Sequence, residues 1–143
     1  MGTVTYKHRF KTSGNGTIVD LTGEITRLVE ENEVENGLVN VFVPGSTGAV
    51  TTIEYEPGLI RDMPEMFERL IPSDRSYHHD LTWGDANGFS HLRASLIGPS
   101  ITIPVDEGRL QLGTWQQVVF LEFDNRPRQR TVVVTIMKDQ AVK

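Results

Sequence analysis

The sequence predicts an α+β protein built on antiparallel or mixed β-sheets, sandwich-like in arrangement, with two or three helices among about seven strands. Three observations support this prediction. Apolar and polar residues alternate near both ends of the chain, as they do in half-buried strands. Two or three internal segments repeat their apolar residues at helical spacing instead. The 143 residues contain no internal repeat and no linker, so we expect residues 1–143 to form a single domain.

The composition excludes several classes of function. A net charge of -5 argues against nucleic-acid binding, which needs a basic surface. The absence of cysteine excludes disulfides, thiolate catalysis and zinc–thiolate sites. The N-terminus lacks a signal-peptide pattern and no apolar run reaches membrane-spanning length, so we expect a cytoplasmic protein with no membrane partner. Arg126, Arg128 and Arg130 form a local basic group able to hold one small anion.

The first elements are a strand and a helix. Residues 3–11 alternate as a strand does, and His8 shares its face with three apolar side chains, which favours a structural histidine. Helical spacing follows, with Asp20 or Thr22 as the N-cap and Gly37 placed to end the helix.

Two strands and a small-residue loop come next. Residues 38–44 read as a buried strand and residues 49–55 as a second one. The loop between them contains Ser46 and Thr47, whose hydroxyls and backbone N–H groups are able to hold a phosphate. A plain turn between two strands explains the same residues, and spacing alone favours the turn.

Two more segments have helical spacing. The first covers residues 59–71, and Pro64 predicts that this helix starts at Asp62 or is kinked. The second ends at Gly98. Its apolar face predicts packing on the sheet, and a polar row spaced by four predicts a surface that faces a cleft. The apolar face is Phe89, Leu92 and Leu96, and the polar row is Asn87, His91 and Ser95.

The last third reads as strands. Residues 100–104 and 109–112 flank a turn, and so do residues 114–124 and 131–138. The second pair is joined by the basic turn over residues 125–130, which predicts a β-hairpin.

Three of the four histidines lie between His78 and His91, with Asp80 and Asp85 among them. Imidazole and carboxylate groups bind divalent metals, and histidine is the usual acid or base near neutral pH. A surface loop whose histidines only form hydrogen bonds is the competing interpretation. The spacing of the histidines matches no strong metal-binding motif. The polar row of Asn87, His91 and Ser95 nevertheless favours a functional site at His79 and His91.

Gly113, Thr114, Trp115 and Gln116 stand at the entrance of a predicted strand. These side chains either line a pocket or place Trp115 in the core with Gln116 facing solvent. The pattern alone favours the core position for Trp115.

Two runs of sequence carry a family resemblance. Residues 95–100 read Ser-Leu-Ile-Gly-Pro-Ser, and residues 108–116 read Gly-Arg-Leu-Gln-Leu-Gly-Thr-Trp-Gln, with His91-Leu92 upstream. Together they closely resemble the YjbQ family, also called secondary thiamine-phosphate synthase, over nearly the whole chain. The resemblance implies a compact homotrimer of α+β subunits with polar clefts near the subunit interfaces, and a bound metal in some members.

The resemblance also implies a set of site residues. It implies catalytic roles for His79, His91, Glu54 and Asp85, and substrate contacts from Asn87, Ser95, Thr114, Trp115 and Gln116. Ser46, Thr47 and Arg128 are candidates to hold phosphate, and His79 and His91 to bind zinc or magnesium. Many members carry a His-Thr-Thr loop where this chain has Gly45-Ser46-Thr47, so one potential metal ligand is missing.

The activity that the resemblance implies is a weak thiamine phosphate synthase activity. It joins a hydroxymethylpyrimidine pyrophosphate to a thiazole phosphate with loss of pyrophosphate, and it needs stabilisation of the departing charge. We therefore expect an enzyme that acts on a small phosphorylated or anionic metabolite. The alternative is a non-catalytic trimer that binds a metal or a metabolite.

Overall fold

The computed structural model describes residues 1–139, which form eight strands and four helices. In chain order these are β1 (Gly2–Thr12), β2 (Ile18–Asp20), α1 (Thr22–Glu31), β3 (Gly37–Phe42), β4 (Gly48–Glu54), α2 (Pro57–Leu70), α3 (Asp80–Trp83), α4 (Gly88–Ile97), β5 (Ser100–Asp106), β6 (Arg109–Leu110), β7 (Gln116–Glu122) and β8 (Arg128–Lys138). No helix among residues 1–139 is long and apolar enough to cross a membrane.

The strands form two antiparallel sheets, which confirms the predicted α+β class. One sheet has the order β1-β8-β3-β5-β6, and the other has the order β2-β7-β4. The pairing of β1 with β8 runs from Gly2 opposite Lys138 to Thr12 opposite Arg128. It ties the two ends of the described chain together.

The core has two layers because β7 is buried on both faces. Val118 and Phe120 point into the cluster between the two sheets, which α1 also joins through Ile25. Val119 and Leu121 point the other way, into a smaller cluster that α2 and α4 cover. A strand with both faces buried is apolar throughout, and residues 118–121 follow that pattern.

Three helix boundaries or faces differ from the prediction. The N-cap position of helix α1 is Leu21, and the Asp20 carboxylate accepts a hydrogen bond from the Thr22 N–H at 2.9 Å. The helix ends at Glu31, before the predicted end at Gly37. Gly37 does not end the helix but is the first residue of β3. Glycine is needed there because a Cβ would lie 2.0 Å from the carbonyl oxygen of Met137.

Helix α2 begins at Pro57 and not at Asp62. Proline suits the first helical position, and the Glu56 carboxylate accepts the N–H groups of Gly58 and Leu59 as an N-cap. Pro64 lies inside the helix. The earlier start signal therefore outweighs the proline within it.

The predicted apolar face of α4 is wrong in two of its three residues. Phe89 is buried, whereas Leu92 is 47% exposed and Leu96 is 59% exposed. The buried face carries Arg93, only 1% exposed, whose guanidinium donates to the Ile71 carbonyl at the end of α2. An arginine that satisfies the last carbonyl of a neighbouring helix is buried at little cost.

The predicted hairpin over the last two strands is also wrong. β7 belongs to the three-stranded sheet, and β8 pairs with β1 and β3 in the other. The basic turn therefore carries the chain from one sheet to the other. β8 already begins at Arg128, so the basic residues of the turn enter the strand.

We expect acid to remove the stabilising contribution of Glu68. Its carboxylate accepts from the Ser73 hydroxyl and then from Arg93, which together lower its pKa from 4.5 to about 2. Because the folded pKa is depressed, this contribution is complete above 4.5 and is lost as the pH falls towards about 2. Urea unfolding of wild type and Glu68→Gln should differ at neutral pH and converge over that range.

The matched control is Glu65→Gln, an exposed carboxylate on the same helix. The free energy of unfolding of this variant should differ little from that of wild type, because Glu65 is exposed. A Glu68→Gln difference that persists at the acid end of the range would contradict the role given to this carboxylate.

Candidate functional site

A cavity of about 580 Å³ opens between three segments of the chain. The loop after β3 contributes residues 44–47, and the histidine segment contributes His79, Trp83, Asp85, Asn87 and His91. The turn into β8 contributes Asp124 and residues 128–131. The fold thus brings a loop, a helix and the crossover between the two sheets to one place.

The Asp80 carboxylate holds the histidine segment in shape. Its two oxygens accept the backbone N–H of Tyr77 at 2.9 Å and of Gly88 at 2.8 Å. These two bonds, Tyr77 first, lower the pKa of Asp80. Gly88 is required here, because a Cβ would lie 2.6 Å from the Cβ of Tyr77. Asp80 is therefore a clamp for the loop and lies outside the cavity lining.

Two imidazoles meet on the cavity wall. The ring centroids of His79 and His91 are 4.3 Å apart, with the ring planes inclined at 55°. His79 Nε2 lies 3.0 Å from Asn87 Oδ1 and 3.9 Å from Asp85 Oδ1. Asn87 is buried just before the first turn of α4, so it orients the His79 ring from a rigid position.

Burial lowers the pKa of His91, and the neighbouring His79 ring lowers it further. The carboxylates of Asp85 and Asp124 oppose this shift. Because the net direction is downward from 6.5, His91 is a neutral imidazole near pH 7. A neutral imidazole can accept a proton, as a general base does.

Two ion pairs hold the arginines that line the floor of the cavity. Arg130 pairs with Glu122 and also donates to Thr47 Oγ1 at 2.8 Å. Thr47 donates in turn to Asp124 Oδ2 at 3.1 Å, and Arg128 Nη1 donates to the same oxygen at 2.7 Å. The chain of contacts links the loop after β3 to both sides of the crossover.

Sequence reasoning missed Asp124 and Glu122, the carboxylates that pair with Arg128 and Arg130, and it named Arg130 only as part of a basic group able to hold an anion. Acidic residues two apart at the end of β7 and arginines two apart at the start of β8 each share one face of the strand. That spacing was the available signal. The interpretation of residues 125–130 as a hairpin turn hid it, because a hairpin would leave such charges on the surface.

The predicted site residues divide into two groups. The cavity lining includes His79, His91, Asp85, Asn87, Ser46, Thr47 and Arg128. Glu54 ends β4 opposite Gln116, a full strand away from the loop, and Ser95 is exposed on α4 outside the lining. His78 is exposed and also lies outside.

The Gly113–Gln116 run lies elsewhere. Thr114 and Gln116 line a separate cavity of about 310 Å³ between α1 and the turn before β7. Trp115 is 71% exposed, so its predicted core position is wrong. It precedes β7, where the turn directs the large side chain away from both clusters.

The residues present do not fit a resident metal ion. Structural and catalytic zinc sites take three or four protein ligands. Among residues 1–139, no group of three or more histidine or carboxylate side chains is placed to hold a metal. His79 Nε2 is already engaged with Asn87, and Gly45 offers no side chain to the cavity.

Comparison with known proteins places the chain among its relatives. The family model described as UPF0047 protein YjbQ-like matches residues 6–139. A UPF0047 protein of Archaeoglobus fulgidus is 44% identical over 124 residues, which cover 87% of this chain and 94% of that protein. The UPF0047 protein YugU of Bacillus subtilis is 30% identical and covers 90% of this chain and 96% of its own length.

Solved structures agree with these relatives. A YbjQ-like protein of Sulfolobus solfataricus superposes with a TM-score of 0.86 at 31% identity, covering 96% of this chain and all of that one. A protein of Clostridium acetobutylicum, described as a YugU orthologue, superposes with a TM-score of 0.83 at 34% identity over 92% of this chain and 99% of its own. The chain belongs to the YjbQ-like UPF0047 family.

Proposed function

We propose that the protein is an enzyme acting on a small phosphorylated metabolite in the cavity that His79 and His91 share with Arg128. One observation carries the proposal: two imidazoles in contact, one with a lowered pKa, face a floor that contains two arginines. Imidazoles move protons and guanidinium groups bind phosphate. A cavity of about 580 Å³ suits a ligand of metabolite size.

The reaction we propose is the condensation that forms thiamine phosphate. The thiazole nitrogen attacks the methylene carbon of the pyrimidine substrate, and the carbon–oxygen bond to pyrophosphate breaks. Pyrophosphate leaves with the electron pair, so the step needs positive charge and hydrogen-bond donors near the leaving group. Arg128, whose Nη1 pairs with Asp124 but whose side chain is 35% exposed, and the exposed Ser46 provide them in this proposal at the cavity rim.

The two histidines have different roles in this proposal. His79 is oriented by Asn87 and Asp85, and its ring lies beside the ligand as part of the cavity wall. His91 is a neutral imidazole and accepts a hydrogen bond that orients the ligand, since the condensation itself releases no proton. Asp85 is 48% exposed at its side chain and lies 3.9 Å from His79 Nε2, so its proposed role is to support the His79 ring and not to bind ligand.

We also propose that the chain assembles as a homotrimer, as the resemblance implies. Large apolar side chains are exposed on the single chain, among them Leu81 at 83%, Trp83 at 77% and Trp115 at 71%. Aromatic residues of this kind are enriched in subunit interfaces. Because Trp83 also borders the cavity, a neighbouring subunit covering it would close the site.

The test is turnover of the two thiamine precursors by the full chain. We expect His79→Ala and His91→Ala to lower the rate by about a hundredfold, the loss typical when a bound ligand is misplaced. His78→Ala is the matched control, because it removes an exposed histidine one residue away from His79. Light scattering on each variant checks that the assembly persists.

Two outcomes would count against the proposal. Equal turnover in wild type and both histidine variants would place the activity in a contaminating enzyme or at another site. Saturable binding of the precursors without turnover would favour the non-catalytic metabolite-binding protein. Elemental analysis of wild type and His91→Ala tests the alternative of a metal-binding protein. A metal present in stoichiometric amount in wild type and lost in His91→Ala would support that alternative.

A further inference from the structure

The guanidinium of Arg130 is buried, and all but one of its nitrogens are committed to protein partners. Nε donates to Glu122 Oε2 at 2.8 Å, and Nη2 donates to Glu122 Oε1 and to Thr47. The guanidinium carbon also lies 5.6 Å from the centre of the Phe120 ring. The side chain is therefore held on one edge and one face, with its direction fixed.

The remaining nitrogen, Nη1, has no hydrogen-bond acceptor among residues 1–139. Arg130 is 4% exposed and borders the cavity, so this nitrogen is the part of a buried cation left for a ligand. A buried charged group is normally paired, and a donor left unused at a cavity wall is available to a ligand.

Gly45 is what keeps Nη1 uncovered. A Cβ at this position would lie 3.4 Å from Nη1, so a larger side chain would stand over the nitrogen. The backbone of Gly45 has φ +141°, which side-chain-bearing residues rarely adopt. The loop conformation and the open approach to Arg130 thus depend on the same residue.

We infer that Arg130 Nη1, beside Gly45, is the subsite that binds the phosphoryl group of the ligand. This inference rests on the proposed function and assigns the anchoring contact within it. The acidic groups nearby do not compete for Nη1. Both oxygens of Glu122 already accept bonds. Asp124 Oδ2 accepts from Thr47 and Arg128, and its buried Oδ1 has no partner and makes no bond to Nη1 among residues 1–139.

The subsite assigns separate parts of the lining to separate parts of the ligand. A phosphoryl group on Arg130 lies between the loop after β3 and the start of β8, while the two imidazoles come from the histidine segment. The ligand class is therefore a molecule with a terminal phosphate or diphosphate and a further group that forms hydrogen bonds with imidazole. A preorganised guanidinium binds such a group without reorganising the protein.

The experiment follows the guanidinium resonances of the ¹⁵N-labelled full chain during titration with inorganic pyrophosphate. We expect a saturable shift of the Arg130 signal, identified by its loss in Arg130→Lys, and no shift of Arg126. Arg130→Lys keeps the charge for Glu122 but removes Nη1, and should weaken binding by about tenfold, as for a lost charge-assisted bond. Arg126→Lys is the matched control, exposed in the same turn.

Gly45→Ala is the second variant, because it leaves Arg130 and Glu122 unchanged. It should weaken pyrophosphate binding several-fold while the Arg130–Glu122 signals stay as in wild type. Should Arg130→Lys fail to fold, the wild-type titration and this variant decide the matter.

Three results separate the two proposals. Saturable binding that shifts only Arg128, or no saturable binding, would overturn the Arg130 subsite. An Arg130 shift in a protein that turns over no precursor would leave the subsite standing and remove the proposed catalysis. Turnover of the precursors without any shift of the Arg130 resonance would leave the proposed catalysis standing and remove the subsite.

Discussion

Replacing Glu122 with alanine is expected to lower the free energy of unfolding by about 3–5 kcal/mol. The carboxylate is 1% exposed and accepts from Arg130, from the Thr12 hydroxyl at 2.7 Å and from the Asp124 N–H at 3.0 Å. Its removal leaves a guanidinium buried without a counter-ion, which costs more than the pair itself contributes. Urea unfolding at neutral pH measures the change.

The controls separate a buried pair from an exposed one. Glu24→Ala removes a carboxylate that pairs with Arg27 on the surface of α1, and should cost at most about 1 kcal/mol. The double variant Glu122→Met with Arg130→Met should recover most of the stability lost in Glu122→Ala, since no unpaired charge remains. A Glu122→Ala loss no larger than that of Glu24→Ala would show that Arg130 finds another partner or solvent.

The strands were the part of the fold that the sequence predicted well. The alternation over residues 3–11 corresponds to β1, Gly2–Thr12, and the apolar run over 38–44 contains most of β3, Gly37–Phe42. A period of two is read directly from residue type, because each strand face meets either core or solvent. The pairing of these strands was not readable in the same way.

The errors share one physical origin, which is long-range pairing. The basic turn over residues 125–130 has the composition of a hairpin, yet β8 is taken up by β1 and β3. Arg93 of α4 is a charged residue, which the sequence alone would place on the surface. It is buried because the Ile71 carbonyl and the Glu68 carboxylate accept hydrogen bonds from its guanidinium. Partners 22 and 25 residues away leave no local pattern.

The fold brings together only part of the predicted site residues. His79 and His91, twelve positions apart, do come into contact, and the helical spacing that placed Asn87 near His91 was informative. Glu54 came from the family resemblance, and Ser95 came both from the resemblance and from the polar row on α4; both lie outside the cavity. The carboxylates and guanidinium groups at the cavity floor lie at the end of β7 and the start of β8. The sequence predicted a hairpin there and did not indicate that the chain passes from one sheet to the other.

Gly37→Ala is expected to be the other strongly destabilising single substitution, at about 3 kcal/mol or more, the upper end for overpacking. Its added Cβ would lie 2.0 Å from the carbonyl oxygen of Met137 and 3.0 Å from the Cα of Lys138. Both are backbone atoms of β8, directly opposite Gly37 in the ladder, so no side chain can rotate away. Relief requires β3 and β8 to separate, which weakens the centre of the larger sheet.

Gly23→Ala makes the same chemical change where no atom lies within 4 Å of the added Cβ. Gly23 is in the first turn of α1, so alanine should stabilise the protein, by up to about 1 kcal/mol. The two glycine variants should therefore move the urea midpoint in opposite directions. A Gly37→Ala protein with the urea midpoint of wild type would contradict this prediction. It would mean that β3 and β8 can separate near Gly37 and Lys138 without loss of stability.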